Sequence, residues 1–231
     1  MSHSRFFYTR DKRISHMQTR YESAARILQD WCLTHDLPFP DDALARTALY
    51  LERLIHYQKQ TNLTGFNSPE DIVTNLCIDS LQILRAHALK GPVLDVGTGA
   101  GFPAIPIKIV CPHLEMLLVE PRTKRYAFLR LIERDLGLEN IQIFRSKIES
   151  VPVPKTLGTA ISKALMPIRD WALLAKPWAI NGAKVACLIS RTDWLSFKND
   201  LIAFEYDVCG CVEEADRVYL VLTHADRPDA P

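Results

Sequence analysis

A chain of 231 residues with 48% hydrophobic and 24% charged side chains holds one large domain, or one domain with an appendage, and is too apolar to remain disordered. Its 28 Lys and Arg against 27 Asp and Glu leave a net charge of +1, so a nucleic-acid partner must be met by a local basic patch. No apolar run approaches the ~18 residues that span a bilayer, and no membrane partner is expected.

Residues 1–20 carry Arg5, Arg10, Lys12, Arg13 and Arg20 against Asp11 alone, and read as a basic flexible arm rather than a secretory signal. Residues 21–90 form a helical extension. Tyr21, Ala24, Ala25, Leu28, Trp31 and Cys32 fall on one helix face, at the 3.6-residue period. Asp41 or Asp42 is placed to cap a second helix, whose apolar stripe is expected at Leu44, Ala48, Leu51 and Ile55. Residues 62–71 read as a loop, and a third helix brings Cys77, Leu81, Leu84 and Ala88 into phase. A helical part of this length has little core of its own, so it is expected to pack on the C-terminal domain.

After Gly91-Pro92 strands alternate with helices to the end of the chain, over residues 91–231. Apolar runs at 93–96, 114–119, 141–144, 159–162 and 183–189 are separated by helical stretches at 105–110, 123–136 and 167–180. The pattern predicts an α/β, Rossmann-like domain with a mostly parallel seven-stranded sheet. The adjoining runs 205–212 and 217–223 supply an antiparallel edge. Gly137 stands at the C-cap position of the helix before it. The six cysteines form no CxxC pair and no zinc-spaced cluster, so no metal is expected, and free thiols suit a reducing, cytoplasmic setting.

The informative segment comes directly after the first strand. Gly97, Gly99 and Gly101 let the backbone turn tightly and approach a ligand. The sixth position is Phe102, where dinucleotide sites need glycine or alanine for close pyrophosphate packing. A nicotinamide or flavin is therefore disfavoured. Glu120 ends the second strand, where a carboxylate accepts hydrogen bonds from a ribose diol. Asp95 stands two residues before Gly97, able to brace the turn or meet a cationic group. A nucleoside cofactor without a pyrophosphate fits this set, namely S-adenosylmethionine. The chain lacks an Asn/Asp-Pro-Pro-aromatic tetrapeptide at the fourth strand and a Pro-Cys nucleophile, which favours an acceptor that is already nucleophilic, such as a ring nitrogen.

Several short segments together resemble the glucose-inhibited division protein B family of small-subunit ribosomal RNA methyltransferases. They are Asn62-Leu63-Thr64, Ile78-Asp79-Ser80-Leu81, the run from Asp95 to Pro103, Ile105-Pro106, Lys124-Arg125 with Phe128-Leu129, Leu138-Glu139-Asn140 and Ile148-Glu149. The resemblance implies a class I S-adenosylmethionine methyltransferase acting on N7 of a guanosine in 16S ribosomal RNA. It implies that Gly97 and Phe102 line the cofactor and that Ile148 and Glu149 lie next to its adenine. Lys163 stands where the family usually carries an arginine bordering the cofactor; it keeps the charge without the planar fork. Asn75-Leu76 and Ala104 are further departures.

Guanine N7 carries no proton, so methyl transfer needs alignment rather than a general base, and no catalytic acid or nucleophile is nominated. Lys163 and Asp79 are candidates to orient the target. Arg122, Lys124, Arg125 and Arg130 on the helix after the second strand are candidates for phosphate contacts with the ribosomal RNA or ribosomal particle. A monomer is expected. The alternatives are a methyltransferase of the same fold acting on another RNA site or a small molecule, and a non-catalytic cofactor-binding relative.

Overall fold

The computed structural model describes residues 5–225, with side chains from residue 20 onward. The chain opens with helix α1 (Arg5–Thr34). The arm expected over residues 1–20 therefore overlaps the start of this helix. The arm's first four residues, and all its side chains but that of Arg20, lie outside the described residues. Ala24, Ala25, Leu28 and Cys32 are buried along one face, as the periodicity predicts.

Helix α2 (Ala43–Gln58) differs from expectation in two ways. Asp42 is its N-cap residue but makes no side-chain cap bond; its carboxylate pairs instead with Arg46 at 2.8 Å, one turn on. The buried stripe is Ala43, Thr47, Tyr50, Leu51 and Leu54; of the expected Leu44, Ala48, Leu51 and Ile55 only Leu51 belongs to it. The rotation of about one residue turns Tyr50 inward, where its hydroxyl donates to the Ala100 carbonyl at 2.9 Å. One aromatic anchor with a polar tip, satisfied in the core, outweighs the aliphatic spacing.

Within the segment expected as a loop, helix α3 (Pro69–Ile72) begins. Ser68 caps it, accepting from the Asp71 N–H at 3.0 Å, and proline stands in its first turn. A π-helical turn (Val73–Ile78) comes next and runs into α4 (Asp79–Ala86). Such turns are frequent at functional sites, and this one puts Leu76 in the wall of the candidate active site's cavity and leads into Asp79 at the start of α4.

The sheet contains β1 (Val93–Val96), β2 (Met116–Val119), β3 (Ile141–Phe144), β4 (Thr159–Lys163), β5 (Lys184–Ser190), β6 (Tyr206–Glu214) and β7 (Arg217–His224). Their order is β3-β2-β1-β4-β5-β7-β6. The five strands β1–β5 pair in parallel, and β7 pairs antiparallel with both β5 and β6. All four residues of β1 and of β2 are buried, as expected of central parallel strands covered on both faces.

Helices α5 (Ala104–Val110) and α6 (Thr123–Asp135) lie on one face, with α2 against both and α4 against α5, β6 and β7. One buried cluster extends from Ala24 and Leu28 through Tyr50, Leu81 and Phe128 to Tyr219. The helical extension thus shares a core with the sheet. Gly137 ends α6 with φ +59°, and the Leu138 N–H closes on the Glu133 carbonyl at 2.9 Å, the C-cap the sequence predicts. The opposite face carries α7 (Ile168–Ile180) and α8 (Arg191–Phe197) around Trp171, Phe197 and Tyr206. Helix α8 has no counterpart among the expected elements, since seven residues show no period. Its signal is the Ser190-x-x-Asp193 pair, in which Ser190 accepts from the Asp193 N–H at 3.0 Å.

Candidate active site

The strand order reverses between β1 and β4, so the loops leaving their C-terminal ends open a crevice between them. A cavity of about 370 Å³ occupies it. Residues 97–100 and Phe102 form its floor, Arg122 and Arg125 one side, and residues 163–165 the other. The extension closes it from above with residues 63–65 and Leu76. Two of the segments carrying the family resemblance, the Asn-Leu-Thr loop and the glycine turn, thus face one another across one space.

Two of the glycines have distinct physical roles. Gly101 has φ +103°, and a Cβ there would strike the Ile105 side chain and press on Leu129; only glycine lets α5 and α6 pack so close to the turn. Gly99, at φ +63°, faces open space up to the Arg125 guanidinium, 3.6 Å from where a Cβ would lie. Its backbone is the part of the turn a ligand can approach. The Tyr50 hydroxyl on Ala100 holds the turn from behind, a contact the sequence patterning does not indicate.

Asp95 is fully buried, and its Oδ2 accepts from the Ala104 N–H at 3.2 Å. It therefore braces the turn. The Thr98 hydroxyl lies beside the carboxylate and favours its charged form, while Asp95 Oδ1 and Thr98 Oγ1 are both buried and neither completes a hydrogen bond of full geometry among the described residues. Burial pushes the Asp95 carboxyl up to about 7, against the Thr98 hydroxyl, the Ala104 N–H and the Lys163 charge, while Glu120 adds to the rise.

Glu120 is also buried, with one oxygen on the Gly99 N–H at 3.1 Å and the other on the Arg122 N–H at 2.8 Å. It does not face solvent. Its carboxylate joins the glycine turn to the residues after β2, with lone pairs left for further donors. The Arg125 guanidinium is 4.0 Å away.

Lys163 and Asp79, nominated separately from the sequence, meet. The Lys163 ammonium is 2.5 Å from Asp79 Oδ2, 3.4 Å from the Leu76 carbonyl and 5.7 Å from the centre of the Phe102 ring. The Tyr219 hydroxyl donates to Asp79 Oδ1 at 2.5 Å, and Arg217 stands 3.6 Å from Oδ2. Both members of the ion pair are buried, at 9% and 6% side-chain exposure. Burial lowers the lysine below its usual range and Asp79 opposes the shift. The pair ties the extension to the ends of β4 and β7. Lys163 lines the cavity and Asp79 stands behind it as a positioning residue.

The basic helix divides. Arg122 and Arg125 line the cavity, whereas Lys124 and Arg130 are exposed on α6 outside it. Arg130 pairs with Glu133 at 2.6 Å. Ile148 and Glu149 open a short 3-10 turn (Ile148–Ser150) after β3. They lie beyond the end of that strand and do not line the cavity, and Glu149 is exposed. Asn75 donates to the Asp71 carbonyl at 2.9 Å, while its neighbour Leu76 enters the cavity wall. Among the described residues no His, Cys, Asp and Glu side chains gather into a metal-holding group, and no helix is long and apolar enough to cross a membrane.

A relative from Nitrosomonas europaea named ribosomal RNA small subunit methyltransferase G is 33% identical over 137 residues, covering 59% of this chain and 64% of the relative. One of the same name from Alkaliphilus metalliredigens is 33% identical over 167 residues, covering 70% of each. The chain thus spans a little under two thirds of the first relative's length. A methyltransferase structure from Pyrococcus furiosus superposes with a TM-score of 0.54 at 17% identity, covering 75% of this chain and 97% of that one; this likeness concerns the fold alone, a mostly parallel, Rossmann-like α/β sheet. The family model described as rRNA small subunit methyltransferase G matches residues 43–195, which include the extension's loop, the glycine turn, Glu120 and Lys163. The chain belongs to the ribosomal RNA small subunit methyltransferase G family.

Proposed function

We propose that the chain transfers a methyl group from S-adenosylmethionine to N7 of one guanosine in small-subunit (16S) ribosomal RNA, as a cytoplasmic monomer. The observation that carries this reading is the cavity above the glycine turn, with Glu120 buried at its edge and Asp95 behind it. The residues present fit the cofactor. Asp95 Oδ1 and Thr98 Oγ1 are buried polar atoms without a hydrogen bond of full geometry among the described residues, the Gly99 backbone is open, and Glu120 has acceptor capacity for ribose hydroxyls. Asp95, Gly97, Gly99, Gly101, Phe102, Glu120 and Lys163 would hold it, and Ile148 and Glu149 would meet its adenine only where that ring extends out of the cavity past the end of β3. When bound, S-adenosylmethionine supplies an electrophilic methyl: the N7 lone pair forms the new N–C bond, the broken C–S pair stays on sulfur, and the positive charge passes to the base.

The chain's own part is placement and charge. Glu120 fixes the nucleoside against the turn, while the buried Phe102 ring keeps water from the floor. Lys163 is held by Asp79 at the point where the cavity meets the end of β4. No side chain needs to take a proton from N7, so geometry supplies the rate. Incubation with labelled S-adenosylmethionine and small-subunit particles lacking the modification tests the reading. Labelled 7-methylguanosine at a single position is expected, and RNA without label contradicts it.

Asp95 gives the cofactor step a pH dependence. Its carboxyl is neutral below about 7 and charged above, and only the carboxylate attracts a cationic ligand. Cofactor affinity should rise through neutrality in the wild type and lose that inflection in Asp95→Asn; calorimetry from about pH 6 to about pH 8 reads it. Stability moves the other way. The folded chain holds the Asp95 proton up to about 7 and the unfolded chain releases it near ~4, so this group's contribution falls as pH rises between them.

Lys124 and Arg130 carry the RNA contact in this reading, with Arg122 and Arg125 at the cofactor mouth. Lys124→Glu with Arg130→Glu should weaken particle binding and flatten its log-log salt slope by about 1 for each phosphate no longer neutralised, leaving cofactor affinity intact. An unchanged salt slope places the RNA elsewhere.

A further inference from the structure

A second cavity, of about 270 Å³, lies across the β4 loop from the first. Ala164 lines both and is held at φ +49°, a left-handed conformation that costs a non-glycine residue energy and concentrates at functional sites. Met166, Leu188 and Ile189 give the second cavity an apolar wall, and Asp216 and Arg217 stand among its polar residues. Arg217 is 3.6 Å from Asp79, which holds Lys163 on the first cavity's side. Asp216 contributes its backbone carbonyl to Arg191, and its carboxylate has no ion-pair partner among the described residues. The cavity also holds Asp193, whose carboxylate is taken by the Ser190 hydroxyl at 2.7 Å; an apolar-walled space with one donor fork, Arg217, and one carboxylate without an ion-pair partner among the described residues, Asp216, suits a guanine ring.

We propose that this second cavity receives the acceptor guanine, with Arg217 donating to O6 and Asp216 accepting from the N1–H and 2-amino edge. The orientation comes from the base. O6 and N7 are neighbours on one edge, so an arginine beside the cofactor side sets N7 toward the first cavity. The opposite edge then points to the carboxylate, whose charge also suits a base that becomes cationic on methylation. Adenine presents a donor in place of O6 and no N1–H, and is rejected at both contacts. This assignment rests on the guanine-N7 reading of the proposed function.

The test uses full-length protein and small-subunit particles reconstituted with RNA carrying guanosine or inosine at the position the wild type modifies. Arg217→Gln and Asp216→Asn should each lower kcat/KM by about ten- to hundredfold, as loss of a hydrogen bond involving a charged group does, and in Asp216→Asn, which changes no partner of the Lys163–Asp79 pair, cofactor affinity by calorimetry should be unchanged. Inosine lacks the 2-amino group, so it should lower kcat/KM for the wild type and add little further loss in Asp216→Asn. Unchanged kcat/KM in both variants, or an equal inosine penalty in wild type and Asp216→Asn, overturns the assignment while leaving the guanine-N7 reading standing. A wild type that labels no guanosine overturns both.

Discussion

Glu120→Ala is expected to weaken S-adenosylmethionine binding by about a hundred- to ten-thousandfold, the consequence of losing two hydrogen bonds to a charged acceptor at ~1.5–3 kcal/mol each. The loss has a second source. Glu120 satisfies the Gly99 and Arg122 N–H groups, and without it the glycine turn loses its link to the end of β2. Glu120→Gln keeps one acceptor oxygen and should fall between wild type and alanine. Calorimetric titration measures both, and alanine-variant affinity equal to wild type would remove Glu120 from the site.

The second large effect concerns stability. Asp79→Ala leaves the Lys163 ammonium buried without its counter-charge and the Tyr219 hydroxyl without its acceptor. Breaking one side of a buried ion pair costs about 3–5 kcal/mol, which in a chain of this size lowers the melting temperature by on the order of 10 °C. Lys163→Met in the same chain should restore much of it, because an apolar side chain at that place leaves no orphaned charge. A single and a double variant that melt alike would show that Lys163 reaches solvent once Asp79 is gone.

The parts of this molecule that are legible in its sequence share a physical reason. β1 has the limits its apolar run predicts, because buried parallel strands are short apolar runs bounded by Gly, Pro or Asn, and so does β3, an edge strand of which only Ile141 is buried. Gly101 is legible because a left-handed, crowded position admits little else. Glu120 stands out in the sequence by its distance after the turn, and the structure puts its carboxylate on the Gly99 and Arg122 N–H groups. Hidden from the sequence are contacts across the chain. Asp79, Lys163, Arg217 and Tyr219 come from separated segments, and no spacing rule joins them. The inward turn of Tyr50 depends on a carbonyl fifty residues on, so the α2 stripe is rotated from the one that aliphatic spacing predicts. A basic run such as Arg122-Thr123-Lys124-Arg125 likewise does not say which side chains bend over the glycine turn and which face outward.

The cavity between the glycine turn and the extension's loop is assigned to the nucleoside cofactor, and a crystal structure of the chain with S-adenosylhomocysteine is the most direct measurement of that assignment. The ribose hydroxyls are predicted on Glu120, the backbone of Gly97 and Gly99 against the ligand, and the amino-acid end toward Asp95 and Lys163. A ligand seated elsewhere, with Glu120 still bonded only to Gly99 and Arg122, would contradict it.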